Sequence, residues 1–160
     1  MSNQVNLASI AKWTAHWKIE KYDKNGKLYE VSEFDHNGLT NAGINELWTL
    51  VCGTGGTQFD NSNAYIGVGD SSTAFDATQT DLQGTNKLRK GMESGYPTYG
   101  TGQKATWKAS FGGSEANWSW QEFAVFNAGS GGTMLNRKVS DQGTKTSGQT
   151  WVVTLEISLS

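Results

Sequence analysis

Four stretches of this chain alternate apolar and polar side chains with a period of two, and each carries tryptophan. From Ile10 to Tyr22, Ala11, Trp13, Ala15, Trp17 and Ile19 face one way, against Lys12, Thr14, His16, Lys18 and Glu20. Between Gln103 and Phe111 the apolar set is Ala105, Trp107, Ala109 and Phe111, and from Thr150 to Ser160 it is Trp151, Val153, Leu155, Ile157 and Leu159. A strand gathers such residues on one face, whereas a helix would scatter them around its circumference. The fourth stretch, Asn117 to Val139, reads as strand, glycine-rich turn (128–132) and return strand (133–139). Trp118, Trp120, Ala124 and Phe126 share one face with Glu122, and Phe123 and Val125 make the other face apolar as well. A strand apolar on both sides is covered on both sides. The strands around Trp107 and Trp151 can supply one layer and a helix at 41–52 the other. Glu122 and Arg137 interrupt useful faces, so they are expected to form a buried polar pair or to meet a neighbouring subunit.

The rest of the chain fits around this hairpin. Asp23-Lys24-Asn25-Gly26 is a hairpin turn, returned by Lys27 to Phe34, and Asp35-His36-Asn37-Gly38 turns again. Thr40 is then placed to cap a helix, with Leu39 and Ile44 as a hydrophobic staple. Ile44, Leu47, Trp48 and Val51 define its apolar stripe, predicted to lie on a sheet, and Gly53 ends it. Short strands follow at Ala64–Val68 and Thr85–Met92, the latter bearing Lys87, Arg89 and Lys90. Three cations on one short strand either meet an acidic partner or protect an exposed sheet edge. Tyr96 and Tyr99 lie in a loop at 93–102, and 140–149 is a polar loop or a continuation of the return strand. The expected fold is all-β, a mainly antiparallel β-sandwich or barrel-like structure, with one short α-helix near 41–52. Residues 1–9 are expected to be a flexible polar arm carrying Val5 and Leu7, and 10–160 a single domain.

Chemistry is hard to find. A net charge of -2 argues against nucleic acid and anionic membrane as partners. The single Cys52 excludes an intrachain disulfide and a cysteine-based metal cluster. No apolar run approaches a membrane span, and no leader peptide is recognisable. Gly67-x-Gly69 lacks the third glycine and following helix of a dinucleotide fingerprint. Asp60, Asp70, Asp76 and Asp81 read as turn residues rather than calcium ligands, and His16 and His36 as surface residues. The expectation is therefore no enzyme activity, no cofactor and no metal. Tryptophans can stack on sugars, but Trp13, Trp17, Trp107 and Trp151 sit on core-facing positions, leaving only Trp118 and Trp120 ambiguous.

Two stretches resemble tailed-bacteriophage virion proteins: 64–84, a strand ending Gly-x-Gly before a long polar segment, and 120–139, WQEFAVFNAGSGGTMLNRKV. The Thr-Asn-x-Gly helix opening at 39–53 and the closing strand TWVVTLEISLS extend the likeness to about 39–160, with Ala124 where glycine is commoner. The resemblance implies a non-enzymatic structural protein of the virion, assembled in the host bacterial cytoplasm. Among such proteins the chain looks most like a head decoration (cement, auxiliary capsid) protein, whose partners would be the major capsid protein and copies of itself, as a homotrimer. A tail or baseplate/fibre-adaptor component is the alternative within the particle, and a carbohydrate-binding module the alternative from another class. The candidate partner contacts are Val5, Leu7, Lys87, Arg89, Lys90, Tyr96 and Tyr99.

Overall fold

The computed structural model describes residues 12–160. In chain order it holds β1 (Trp13–Tyr22), β2 (Leu28–Asp35), β3 (Gly38–Leu39), α1 (Asn41–Cys52), β4 (Tyr65–Gly69), β5 (Lys87–Gly91), β6 (Thr98–Thr101), β7 (Lys104–Phe111), β8 (Glu122–Phe126), β9 (Met134–Val139) and β10 (Thr150–Leu159). These form two five-stranded antiparallel sheets, ordered β2-β1-β10-β7-β6 and β3-β9-β8-β4-β5. The sheets pack as a sandwich and do not close into a barrel. Three of the four alternating stretches became β1, β7 and β10, and β10 lies between the other two.

Their apolar faces meet the second sheet. Trp17, Ile19, Phe111, Trp151 and Val153 from one side pack with Ile66, Val68, Phe123 and Val125 from the other. Aromatic rings dominate this core. Trp120 sits edge-on to Phe111 at 5.0 Å and to Trp151 at 4.8 Å, and Trp17 stacks on Phe34 at 6.1 Å. Truncating such a ring to alanine costs about 3–5 kcal/mol, so these tryptophans are scaffold.

The central hairpin differs from its sequence reading in one respect. Regular pairing begins only at Glu122. Before it, the Trp120 backbone pairs with the 140–149 loop, donating to Gly143 and accepting from Gln142. That irregular lead-in breaks the alternation and lets Trp120 join Phe123 in the main core. The outer face of β8 is apolar as expected, but α1 does not cover it. Ala124, Phe126 and Met134 are buried there under Leu82 of the 70–86 connection. Helix α1 packs against β9 instead. Two segments expected as turn and loop also contain strand, β3 at Gly38–Leu39 and β6 at Thr98–Thr101, each completing a sheet edge.

Candidate interaction surface

The interrupting charges are the lock of the fold. Glu122 and Arg137 are both fully buried, and Arg137 Nε donates to Glu122 Oε2 at 2.7 Å. The carboxylate also accepts from the Gln83 amide at 2.9 Å and the Gly84 amide at 2.7 Å. Arg137 Nη1 donates to the Thr73 carbonyl at 2.9 Å and to Gln79 Oε1 at 3.1 Å. A buried ion pair needs such extra hydrogen bonds to offset desolvation. Here four of its partners lie on the 70–86 connection, which the pair therefore fastens over β8. The Gly-x-Gly of β4 belongs to the same device. A Cβ on Gly67 would meet the Phe126 ring at 2.8 Å, and one on Gly69 would meet Glu122 Oε1 at 2.4 Å. Those glycines clear space for the pair and its cover.

The three cations of β5 are also consumed internally. β5 is an edge strand, as edge protection requires. Lys87 Nζ lies 2.7 Å from Asp81, and Lys90 Nζ 2.6 Å from Glu115. Arg89 reaches Asp81 at 3.0 Å, donates to the Ala128 and Gly131 carbonyls, and stacks over Phe126 with its guanidinium carbon 3.4 Å from the ring centre. It holds the β8–β9 turn down. No free basic patch results from these residues. Tyr96 is half-buried, with Lys108 Nζ 5.5 Å from its ring centre, whereas Tyr99 on β6 is 76% exposed. Val5 and Leu7 lie outside the described residues.

Helix α1 supplies the feature that the sequence reading missed. Thr40 caps it as expected, accepting from the Gly43 amide at 2.9 Å while donating to the Met134 carbonyl. The Asn41 amide donates to Ala77 at 2.8 Å and the Thr40 amide to Leu135 at 3.1 Å, so the helix start is stitched to both neighbours. Gly53 ends the helix with its amide on Thr49, but its φ of -126° is extended rather than left-handed. The rotation of the helix is set by Gly43. A Cβ there would stand 2.4 Å from the Leu135 carbonyl oxygen, so only glycine permits this approach to β9.

With Gly43 inward, Leu47 and Leu50 follow at i+4 and i+7 and pack on the core. Of the predicted stripe, Leu47 does lie on the core, whereas the other three positions are turned away by one residue, roughly 100° around the helix. Ile44, Trp48 and Val51 face solvent, Trp48 at 62% and Val51 at 74% exposure. The sole charge on α1, Glu46, bonds the Thr57 amide at 2.6 Å and the Asn127 side chain at 3.2 Å. The result is an apolar helix face without a charged side chain of its own.

Beside it the sandwich is open at one end. A cleft of about 620 Å³ is lined by Trp13, Leu47, Ala105, Trp107, Leu135 and Ile157, with Leu159 56% exposed at its wall. A smaller hollow bordered by Tyr99 shares Ala105 and Trp107 with it.

Other ionisable groups have structural roles. Lys145 is buried with its ammonium on the Gly112 and Glu115 carbonyls and Asn117 Oδ1, at 2.7, 2.9 and 2.9 Å, and burial pushes its pKa down. His16 bonds Asp35 at 2.6 Å and has Glu33 at 3.6 Å, and the Asp35 hydrogen bond holds its pKa above the usual value. The loop aspartates cap their own turns: Asp60 accepts from the amides of Ser62 and Asn63, and Asp76 from that of Thr78. Among the described residues no cluster of His, Cys, Asp and Glu is arranged to hold a metal ion. No protein family, curated relative or solved structure matches this chain.

Proposed function

We propose that this chain is a structural component of a tailed-phage particle, a head decoration protein that stabilises the capsid by covering contacts on its outer lattice. One observation carries the reading: a stiffly locked sandwich leaves an uncharged apolar helix face, Ile44-Trp48-Val51, in solvent. Large apolar side chains grouped on an exposed face mark an interaction surface. Fully covering each contributes about 1.5–3 kcal/mol, enough for a modest single contact. Linked copies on a repeating lattice raise the overall avidity far above that. The partner's chemistry follows from the surface: a neutral, apolar patch of protein rather than a phosphate backbone or a charged headgroup. The sequence resemblance over 39–160 points the same way and supplies the particle context.

The sugar-binding alternative loses support from the placement of the indoles. Trp17, Trp107, Trp120 and Trp151 are core residues, and Trp48 has no second exposed tryptophan beside it on α1 to complete a stacking platform. The test is co-sedimentation with undecorated shells of the major capsid protein encoded in the same genome. Saturable binding at a fixed ratio to capsid subunits is expected. Binding to isolated tails but not to shells would move the chain to the tail, and capture by glycans competed by free sugar would overturn the virion reading.

A further inference from the structure

The chain holds two Asn-Gly pairs, Asn25-Gly26 and Asn37-Gly38, and the fold treats them differently. In such a pair the glycine nitrogen can attack the side-chain carbonyl carbon of the asparagine before it, because no Cβ shields that nitrogen. The attack closes a five-membered succinimide. Its rate depends on the freedom of the asparagine side chain and of the amide that follows.

Asn37 is held. Its Oδ1 accepts from Trp13 Nε1 at 3.2 Å, and its Nδ2 is buried. Gly38 lies in β3, paired with Arg137 of β9, and a Cβ there would collide with the Phe75 ring. Turning the Asn37 carboxamide onto the Gly38 nitrogen breaks the Trp13 bond and loosens the crossing from β2 to β3, which joins the two sheets.

Asn25 is free. With Gly26 it forms the exposed tip of the β1–β2 hairpin, and its side-chain amide bonds to none of the described residues. Only its backbone is tied, the amide donating to Asp23 Oδ1 at 2.8 Å. A Cβ built on Gly26 meets nothing within 4 Å, so the approach to its nitrogen is open. The restraint that remains is the Gly26 amide's bond to the Asp23 carbonyl at 3.0 Å, in an exposed turn where such bonds open at little cost.

We infer that Asn25 is a site of spontaneous modification, converted through a succinimide with Gly26 to aspartate and isoaspartate, while the fold protects Asn37. The Gly26 nitrogen bonds to Asn25 Cγ, and the Cγ–Nδ2 bond breaks. Nδ2 leaves as ammonia, carrying the proton that the Gly26 nitrogen gives up. Water then adds to either ring carbonyl and opens the ring to the α- or β-linked acid. The product places one further negative charge between Lys24 and Lys27, and the β-linked form adds a methylene to the backbone of the turn. Because β2 is an edge strand, the lengthened turn leaves the other strands in register. The site is distinct from the α1 face, and its test does not involve capsids.

The full chain is incubated at mildly alkaline pH and body temperature, both folded and unfolded in guanidinium chloride. Cleavage after glutamate then places Asn25 on peptide 21–30 and Asn37 on peptide 34–46. A gain of about 1 Da marks conversion, and fragmentation assigns it to a residue. In the folded chain Asn25 is expected to convert at least ten-fold faster than Asn37, with isoaspartate among the products. In the unfolded chain the two are expected to convert at similar rates. The Asn25→Gln variant, whose ring would have one more member, is expected to leave peptide 21–30 unchanged. Asn25 intact in the folded chain while the unfolded chain converts would overturn the inference. So would equal rates at the two residues in the folded chain, no conversion in either state, or aspartate without isoaspartate, which signals direct hydrolysis.

Discussion

The outer face of β8 and the outer face of α1 are both apolar, and the protein treats them in opposite ways. Over β8, the 70–86 connection is fastened by the Glu122–Arg137 pair, and Phe126, Ala124 and Met134 disappear beneath Leu82. Over α1 none of the described residues is fastened, and Trp48 and Val51 stay in solvent. The two faces lie on either side of Thr40-Asn41-Ala42-Gly43, whose hydrogen bonds reach β9 and Ala77. A chain that commits a buried ion pair to sealing one apolar face, and sets a glycine to turn the other outward, separates a sealed surface from an open one.

The largest expected effect comes from breaking the seal. Glu122→Ala leaves Arg137 buried without its partner and frees the Gln83 and Gly84 amides, and a loss of about 3–5 kcal/mol is expected in urea unfolding. The double change Glu122→Met/Arg137→Met removes both charges and is expected to recover much of that loss; no recovery would mean that the pair does more than fasten the connection. Next in size is Gly43→Val. Its Cβ is forced against the Leu135 carbonyl, and a cost on the order of 1–3 kcal/mol is expected as the helix shifts.

On the outward face of α1 the magnitude should differ. Trp48→Ser with Val51→Ser is expected to change unfolding free energy by no more than about 0.5 kcal/mol, the range of ordinary surface substitutions. A loss of several kcal/mol would erase the distinction between the two faces.

The smallest effect is electrostatic. His16, raised by Asp35, contributes stability that is whole below about pH 6.5 and fades as pH rises through its elevated folded value. Asp35, lowered by the same bond, contributes stability above about pH 3.8 that is lost as pH falls through its depressed value. Maximal contribution therefore lies between those limits, and His16→Asn is expected to lower Tm slightly within that window and to flatten the decline on either side of it, the effect being small because the pair is exposed.

Much of this was legible in the sequence. Period-two alternation located β1, β7 and β10, the Asn-Gly turn located β2, and Thr40 with Gly53 bracketed α1 at 41–52. Glu122 and Arg137 were recognisable as a pair because charge at a core-facing position needs a partner. The rotation of α1 was not legible. Two stripes, 43/47/50 and 44/47/48/51, both have helical spacing and share Leu47, and counting apolar side chains favours the second. The first wins because a missing Cβ, not a present side chain, fixes the contact. The cover over β8 was hidden for a related reason. A polar connection with one anchoring leucine does not look like a lid until the amides of Gln83 and Gly84 are seen on a carboxylate 39 and 38 residues away. The cations of β5 lie on an edge strand, as the edge-protection reading requires, but sequence shows only their density and not Asp81 and Glu115 beside them.

The central claim is that the outward face of α1 is a binding surface. It is tested most directly by titrating the native chain and the Trp48→Ser/Val51→Ser variant against undecorated capsid shells, with Tm recorded for both. The expected result is saturable binding by the native chain, at least ten-fold weaker binding by the variant, and equal Tm. Equal binding by the two, or a variant that no longer folds, would contradict it.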